Sequence, residues 1–346
     1  MIKFSIKNGT LKRAYIVPLH IDIPDGVTEI GGGAFSELPV TSISIPDSVG
    51  VIVKSAFEGT PITTISLPDR VKKIEERTFY NCKNLSKVTI GNSVTSIGEK
   101  AFELCRSLTS ITIPDSVISI GKSAFRDCTG LIIVELGNSV NSIGEIAFYG
   151  CTGLRNIEIP DSVTEIGKSA FRKCTGLTSV TLGNSVNSIG DSAFRDCKVL
   201  KNINIPDSVT EIGCEAFRDC TGLTSVPIGN SVTSIGIQAF FGCTDLISVD
   251  IPDSVTSIGL RAFYGCTGLT SVTIGDSVTS IGCGAFACCT GLKSVTLGKS
   301  VTSIGACAFM YCTDLTIYGT RGSYAETYAK ENKIPFCDVV DCEKGE

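Results

Sequence analysis

Between Leu108 and Cys128 the apolar residues fall at Leu108, Ile111, Ile113, Val117, Ile120, Ala124, Phe125 and Cys128, and this spacing returns along almost the whole chain. With the Phe of each Ala-Phe or Thr-Phe pair as marker, the series runs Phe35, Phe57, Phe79, Phe102, Phe125, Phe148, Phe171, Phe194, Phe217, Phe240, Phe263, Phe286 and Phe309. The first two intervals are 22 residues and all later ones 23. A fixed period of this size is the signature of a solenoid, whose coils share one continuous core and which lengthens without thickening. Eight inward positions per 23 residues fill a thin coil core.

Each coil reads as three segments. In Leu108 to Ile113, Leu108, Ile111 and Ile113 point inward while Ser110 and Thr112 point outward, the alternation of a strand. A turn follows, either Pro114-Asp115-Ser116 or its counterpart Gly91-Asn92-Ser93, where Pro presets φ and the Asx side chain bonds to nearby backbone. Ser116 to Gly121 returns as a short extended piece with Val117 and Ile120 inward. Lys122 to Cys128 predicts about two turns of helix burying Ala124, Phe125 and Cys128, with Gly130 as the left-handed residue after it. From Gly91 to Gly275 the turn alternates glycine and proline forms, which reads as duplication of a 46-residue pair of coils.

The two ends differ from the array. Residues 1–21 predict a hairpin cap, with strands over Lys3 to Ile6 and Leu11 to Val17 joined by an Asn8-Gly9 turn. Residues 22–318 form the repeat array, and residues 319–346 a C-terminal helical cap and tail. In that tail Ser323 reads as N-cap, Glu326 closes a capping box, and Pro335 lies beyond the stop.

The pattern L-x-x-V/I-x-I-P-x-S-V-x-x-I-G-x-x-A-F-x-x-C, seen at Leu246 to Cys266 and in most other coils, resembles the BspA-like class of bacterial leucine-rich repeats, also found in some protozoan parasites. The hairpin and the GSYAETYAKENKIPF tail resemble segments that flank such arrays. The resemblance implies an α/β solenoid: a right-handed leucine-rich repeat arc of about 13 coils, with a parallel sheet on the concave face and short helical turns opposite. It also implies display on, or release from, a cell surface, with adhesion or host binding as the role, and no shared catalytic residue. The first ten residues alternate apolar and polar instead of forming the apolar stretch of a secretory signal, so a cytoplasmic location is the alternative.

Charge and composition narrow the functions. Thirty Lys plus Arg against 35 Asp plus Glu give a net charge of −5, which argues against a phosphate-tracking nucleic-acid binder. No apolar run approaches the roughly 20 residues of a membrane helix, so no membrane insertion is expected. Of 17 cysteines, eleven stand three residues after a marker Phe, from Cys82 to Cys312, and read as free buried thiols. Among the rest, Cys283 with Cys307 and Cys337 with Cys342 are the pairs placed to bridge, and the reading favours free thiols for both. No Cys-x2-Cys pair exists and His20 is the only histidine, so neither a zinc site nor any other metal or cofactor is expected.

No enzyme is expected either: His20 reads as a surface residue, and Asp115, Asp161, Asp207 and Asp253 as turn residues. Two surfaces remain as candidates for binding. On the strand face, the departures from a uniform Ser and Thr lawn are Ile133, Glu135, Asn156, Glu158, Asn202, Asn204 and Asp250. The column after the marker Phe carries Tyr80, Arg126, Tyr149, Arg172, Arg195, Arg218, Phe241 and Tyr264, residue types enriched at interfaces. The strand face ranks first, because solenoids bind through their concave side. The function expected is a non-enzymatic, monomeric adhesion or protein-binding scaffold for a protein or glycan on a host or neighbouring cell. A structural spacer of a surface assembly, or an intracellular interaction scaffold, are the alternatives.

Overall fold

Stacking near-identical coils requires each backbone group on a coil edge to find its partner one period away, and the hydrogen bonds run at that period. The structure, a computed structural model, describes residues 3–15 and 19–342. It divides into two units, residues 1–177 and 178–346.

In unit 1 the strand face is built from His20–Asp22, Ser42–Ser44, Thr64–Ser66, Lys87–Thr89, Ser110–Thr112, Ile133–Glu135 and Asn156–Glu158. Every one of these strands buries its central residue and turns the flanking two outward. Pairing is parallel and in register, as in Ser110↔Ile133 and Thr112↔Glu135. A second ladder of two-residue strands runs through Lys73–Ile74, Ser96–Ile97, Ser119–Ile120, Ser142–Ile143 and Glu165–Ile166. The N-terminal hairpin, Lys3–Lys7 against Thr10–Tyr15, turns at Asn8 and Gly9 with φ of 52° and 75° and pairs its second strand with Glu29–Ile30. Val17 lies outside the described residues.

Unit 2 repeats this plan. Its strand face carries Ser179–Thr181, single bridges at Asn202 and Ser225, then Ser248–Ile251, Ser271–Ile274, Ser294–Thr296 and Thr316–Gly319. The strand position therefore recurs about fourteen times along the chain, once more than the marker Phe. Phe336–Asp338 pairs in parallel with Thr316–Gly319, and the helix Tyr324–Glu331 sets Tyr328 edge-on against Phe309 at 6.1 Å. The capping box is displaced by one residue: Glu326 accepts from the Gly322 N–H at 2.6 Å, and Ser323 caps without a side-chain bond.

The third side of the coil is not helical, contrary to the expectation for Lys122 to Cys128. Ser123 and Asp127 hold φ of 56° and 55°, and the N–H groups alternate in direction. Those of Ser123, Phe125 and Asp127 donate to Glu145, Ala147 and Tyr149 of the next coil, while those of Ala124, Arg126 and Cys128 reach back three residues. Packing distance explains this. Helices need about 8–10 Å between axes, whereas direct backbone hydrogen bonds between successive coils hold this side at about the 4.8 Å sheet spacing, which a flat turn ladder fits and a helix does not. Gly130 is also not left-handed; a Cβ there would sit 2.4 Å from the Arg106 carbonyl oxygen.

Inside each unit the marker rings stack face to face, at 5.1–5.4 Å from Phe35 to Phe171. From Phe194 to Phe309 the centroids are 5.0–5.4 Å apart. Such pairs contribute about 0.5–1.5 kcal/mol each beyond area burial. Within each unit the column thiols donate to the carbonyl of the marker Phe one coil back, as Cys105 does to Phe79 at 3.1 Å and Cys243 to Phe217 at 3.2 Å. Cys283 and Cys307 are free, as expected. Cys337, against expectation, is disulfide-bonded; the side chain of Cys342 lies outside the described residues.

The glycine and proline turns interlock. In the proline coil, Ser116 Oγ donates to the Val94 carbonyl behind it at 2.7 Å, and Asp115 Oδ1 accepts the Asn138 N–H ahead of it at 2.7 Å. Gly137 makes room for that approach, since a Cβ there would lie 2.6 Å from the Pro114 carbonyl. The 46-residue period is therefore a packing device.

Candidate functional site

On the strand face of unit 1, the parallel register brings Ile133 and Glu135 beside Ser110 and Thr112, and Thr112 Oγ1 donates to Glu135 Oε2 at 2.9 Å. Ile133 is 50 % exposed although apolar, and Glu135, Asn156 and Glu158 are exposed around it. These four expected residues form one patch. Its centre is an isoleucine that the fold does not use.

In unit 2, Asn202, Asn204 and Asp250 are exposed as expected. Here the regular ladder gives way, because Pro227 occupies a strand position and has no N–H to donate. Only the bridges Ser179↔Asn202 and Asn202↔Ser225 remain. A hollow of about 480 Å³ opens beside the gap, lined by Asn184, Asn204, Pro206, Asp207, Pro227 and Asn230. Asp250 stands one coil beyond Pro227, opposite Thr273.

Sequence reasoning passed over the first coils of unit 1. A hollow of about 580 Å³ lies there between Ser44, Asp47, Thr64, Ser66, Lys87 and Thr89. The 22-residue period of these coils was the available signal. Next to it, His20 Nδ1 contacts Ser42 Oγ and His20 Nε2 lies 3.2 Å from Asp22 Oδ1. The register thus assembles a hydroxyl, an imidazole and a carboxylate that the sequence reading treated as unrelated. The imidazole and carboxylate side chains are 59 % and 74 % exposed. At that exposure the contact is solvated and screened, as surface ion pairs are.

The column after the marker Phe is half-buried and internally paired. In unit 1, Arg126 and Arg172 lie 5.5 and 6.0 Å from the Tyr149 ring centroid. In unit 2, Arg195 and Arg218 both bond Glu215, and Arg218 lies 4.5 Å over Phe241, which stacks on Tyr264 at 4.9 Å. Burial alone would raise the Glu215 carboxyl, but Arg195, Ser192 and Arg218 outweigh it and hold it below its ordinary value. These arginines are engaged with their own coil neighbours, which leaves the strand face as the freer surface. The recurrent aspartates are likewise occupied: Asp207 and Asp253 accept the N–H of Asn230 and Asp276, each at 2.7 Å.

The model of the BspA type leucine rich repeat region matches in six copies, over residues 19–131, 95–224 and 189–316. Among solved structures, a leucine-rich repeat protein from Bacteroides ovatus is 29 % identical, with a TM-score of 0.74 and 98 % of each chain covered. The pneumococcal vaccine antigen PcpA is 20 % identical with a TM-score of 0.53, over 97 % of this chain and 96 % of its own, a likeness of fold alone. No curated protein matches.

Proposed function

Because this chain belongs to the BspA-type leucine-rich repeat family, we propose that it is a non-enzymatic scaffold whose strand face engages a large partner, a protein or a glycan on a host or neighbouring cell. The observation that carries this reading is the patch at Ile133, Glu135, Asn156 and Glu158: exposed, mixed apolar and acidic, and surplus to the packing of its own coils. Asn202, Asn204 and Asp250 supply a second set of contacts on unit 2. An array of similar outward groups favours large or repetitive ligands, because many weak contacts engaged together gain avidity.

A secreted or surface-displayed monomer suits this role. No helix among the described residues is long and apolar enough to cross a membrane. The test is charge reversal at Glu135, Glu158 and Asp250, read as attachment to panels of matrix proteins and glycans. Loss of attachment is expected. Unchanged attachment, with loss on altering Arg172, Arg195 and Arg218 instead, would move the site to the marker-Phe side.

A further inference from the structure

The last marker coil is the least supported part of unit 2. The turn ladder sends three N–H groups from each coil to the next: those of Gly284, Phe286 and Cys288 meet the carbonyls of Ala306, Ala308 and Met310 at 3.0, 2.8 and 2.7 Å. The following row, Cys307, Phe309 and Tyr311, has no further coil ahead, and its N–H groups meet no acceptor among the described residues. Exposure rises at the same place, to 9 % at Ile304 and 5 % at Phe309, where Phe194 to Phe286 are all at 0 %.

Two accessible thiols stand on this last coil and the one before it. Cys283 and Cys307 are free and exposed, and they line one hollow of about 380 Å³ with half-buried Cys288. The remaining wall is largely apolar, with Leu260, Tyr264, Ala287 and Met310. The Gly284 to Ala306 hydrogen bond sets Cys283 level with Ala306, one residue before Cys307. At sheet spacing that diagonal is a Cα separation of about 6 Å, within the range a disulfide requires. The column thiols offer no such chemistry. All but the half-buried Cys312 are fully buried, and burial pushes Cys174 and Cys312 up to about 12 and Cys243 well above its ordinary value, which withholds the thiolate that exchange needs.

We propose that Cys283 and Cys307 form a thiol–disulfide exchange site, which a low-molecular-weight disulfide of the glutathione type converts into a staple between the last two marker coils. One thiolate attacks a sulfur of the small disulfide, forming a mixed disulfide and releasing one small thiolate. The second thiolate then attacks the protein-side sulfur and displaces the other. The two cysteine protons pass to the two departing thiolates, so the pair is oxidised and the small disulfide reduced to two thiols.

The experiment treats the full chain with oxidised glutathione, quenches with acid, alkylates, and maps peptides without reduction. A cross-linked pair holding Cys283 and Cys307 is expected, with amide exchange over residues 302–312 slowed by about tenfold, because the staple suppresses opening of the terminal coil. Cys307→Ser should trap a mixed disulfide on Cys283, and Cys283→Ser one on Cys307, while Cys288→Ser should bridge as the parent does. The proposal is overturned by no reaction, by stable mixed disulfides on both thiols, by a bridge to Cys288, by disulfide-linked dimers, or by column cysteines reacting as fast.

Discussion

The thiol of Cys151 donates to the carbonyl oxygen of Phe125, 3.1 Å away and one coil back. That carbonyl already accepts the Cys128 N–H at 3.2 Å, so the thiol fills its second lone pair. Every column cysteine described in this way is a small apolar side chain that also carries one coil-to-coil hydrogen bond. Cys151→Ala is expected to cost about 1–2 kcal/mol, the sum of a small void and a weak bond to a carbonyl that keeps its first partner. Urea denaturation measures it; a loss near zero would mean that the S–H bond contributes nothing.

Close approach at the alternating turn gives a sharper test. Alanine at Gly137 would drive a Cβ to 2.6 Å from the Pro114 carbonyl, and backbone on both coils must move, at about 1–3 kcal/mol. Gly265 is the control: it has φ of +72° and nothing within 4 Å of an added Cβ. Gly265→Ala should cost only the left-handed penalty of about 1 kcal/mol. Equal thermal midpoints for the two variants would show that coil spacing relaxes freely.

Two glutamates predict opposite pH responses. Burial raises the Glu103 carboxyl, and Arg126 with Lys100 only partly offsets it; its Oε2 is buried without a hydrogen-bond partner. A carboxyl raised in the folded state favours the fold while protonated, so stability is present below the unfolded value and lost as pH rises through the folded one. Glu103→Gln should therefore gain on the parent as pH increases from acid to neutral. Glu215 is lowered, so its contribution is present above the unfolded value and lost as pH falls through the folded one. Glu215→Gln should be weaker than the parent at neutral pH, with the gap closing in acid. Urea midpoints across pH 3 to 7 for both variants check the two signs; a common sign would refute the assignment of causes.

Much of this was legible in the residues. The inward set Leu108, Ile111, Ile113, Val117, Ile120, Ala124, Phe125 and Cys128 is buried at 0–2 %, because burial follows from period alone. The helix expected at Lys122 to Cys128 was not, because Ala-Phe-Arg-Asp-Cys is compatible with a helix in isolation and only the coil spacing forbids one. Single-sequence patterning carries no information on that spacing. The exposed patch at Ile133 to Glu158 was legible for the converse reason: outward positions owe nothing to packing, so departures there stand out. The contact of His20 with Ser42 and Asp22 was not visible, since it depends on register in coils of a slightly different period.

The alternation of turns makes the last prediction. Ser208 belongs to a proline coil and donates to the Val186 carbonyl at 2.7 Å; its counterpart in the next, glycine coil is Ser231, which is exposed and makes no side-chain hydrogen bond among the described residues. Identical in sequence position, the two serines differ only in which half of the 46-residue pair they occupy. Ser208→Ala should lose about 1 kcal/mol, and Ser231→Ala should stay within about 0.5 kcal/mol of the parent. The readout is the urea midpoint of each variant alongside amide exchange at Val186 and Val209. If both serines prove equally dispensable, the alternation holds no energy and reflects duplication alone; if only Ser208 matters, the pair of coils, and not the single coil, is the unit in which this array gains its stability.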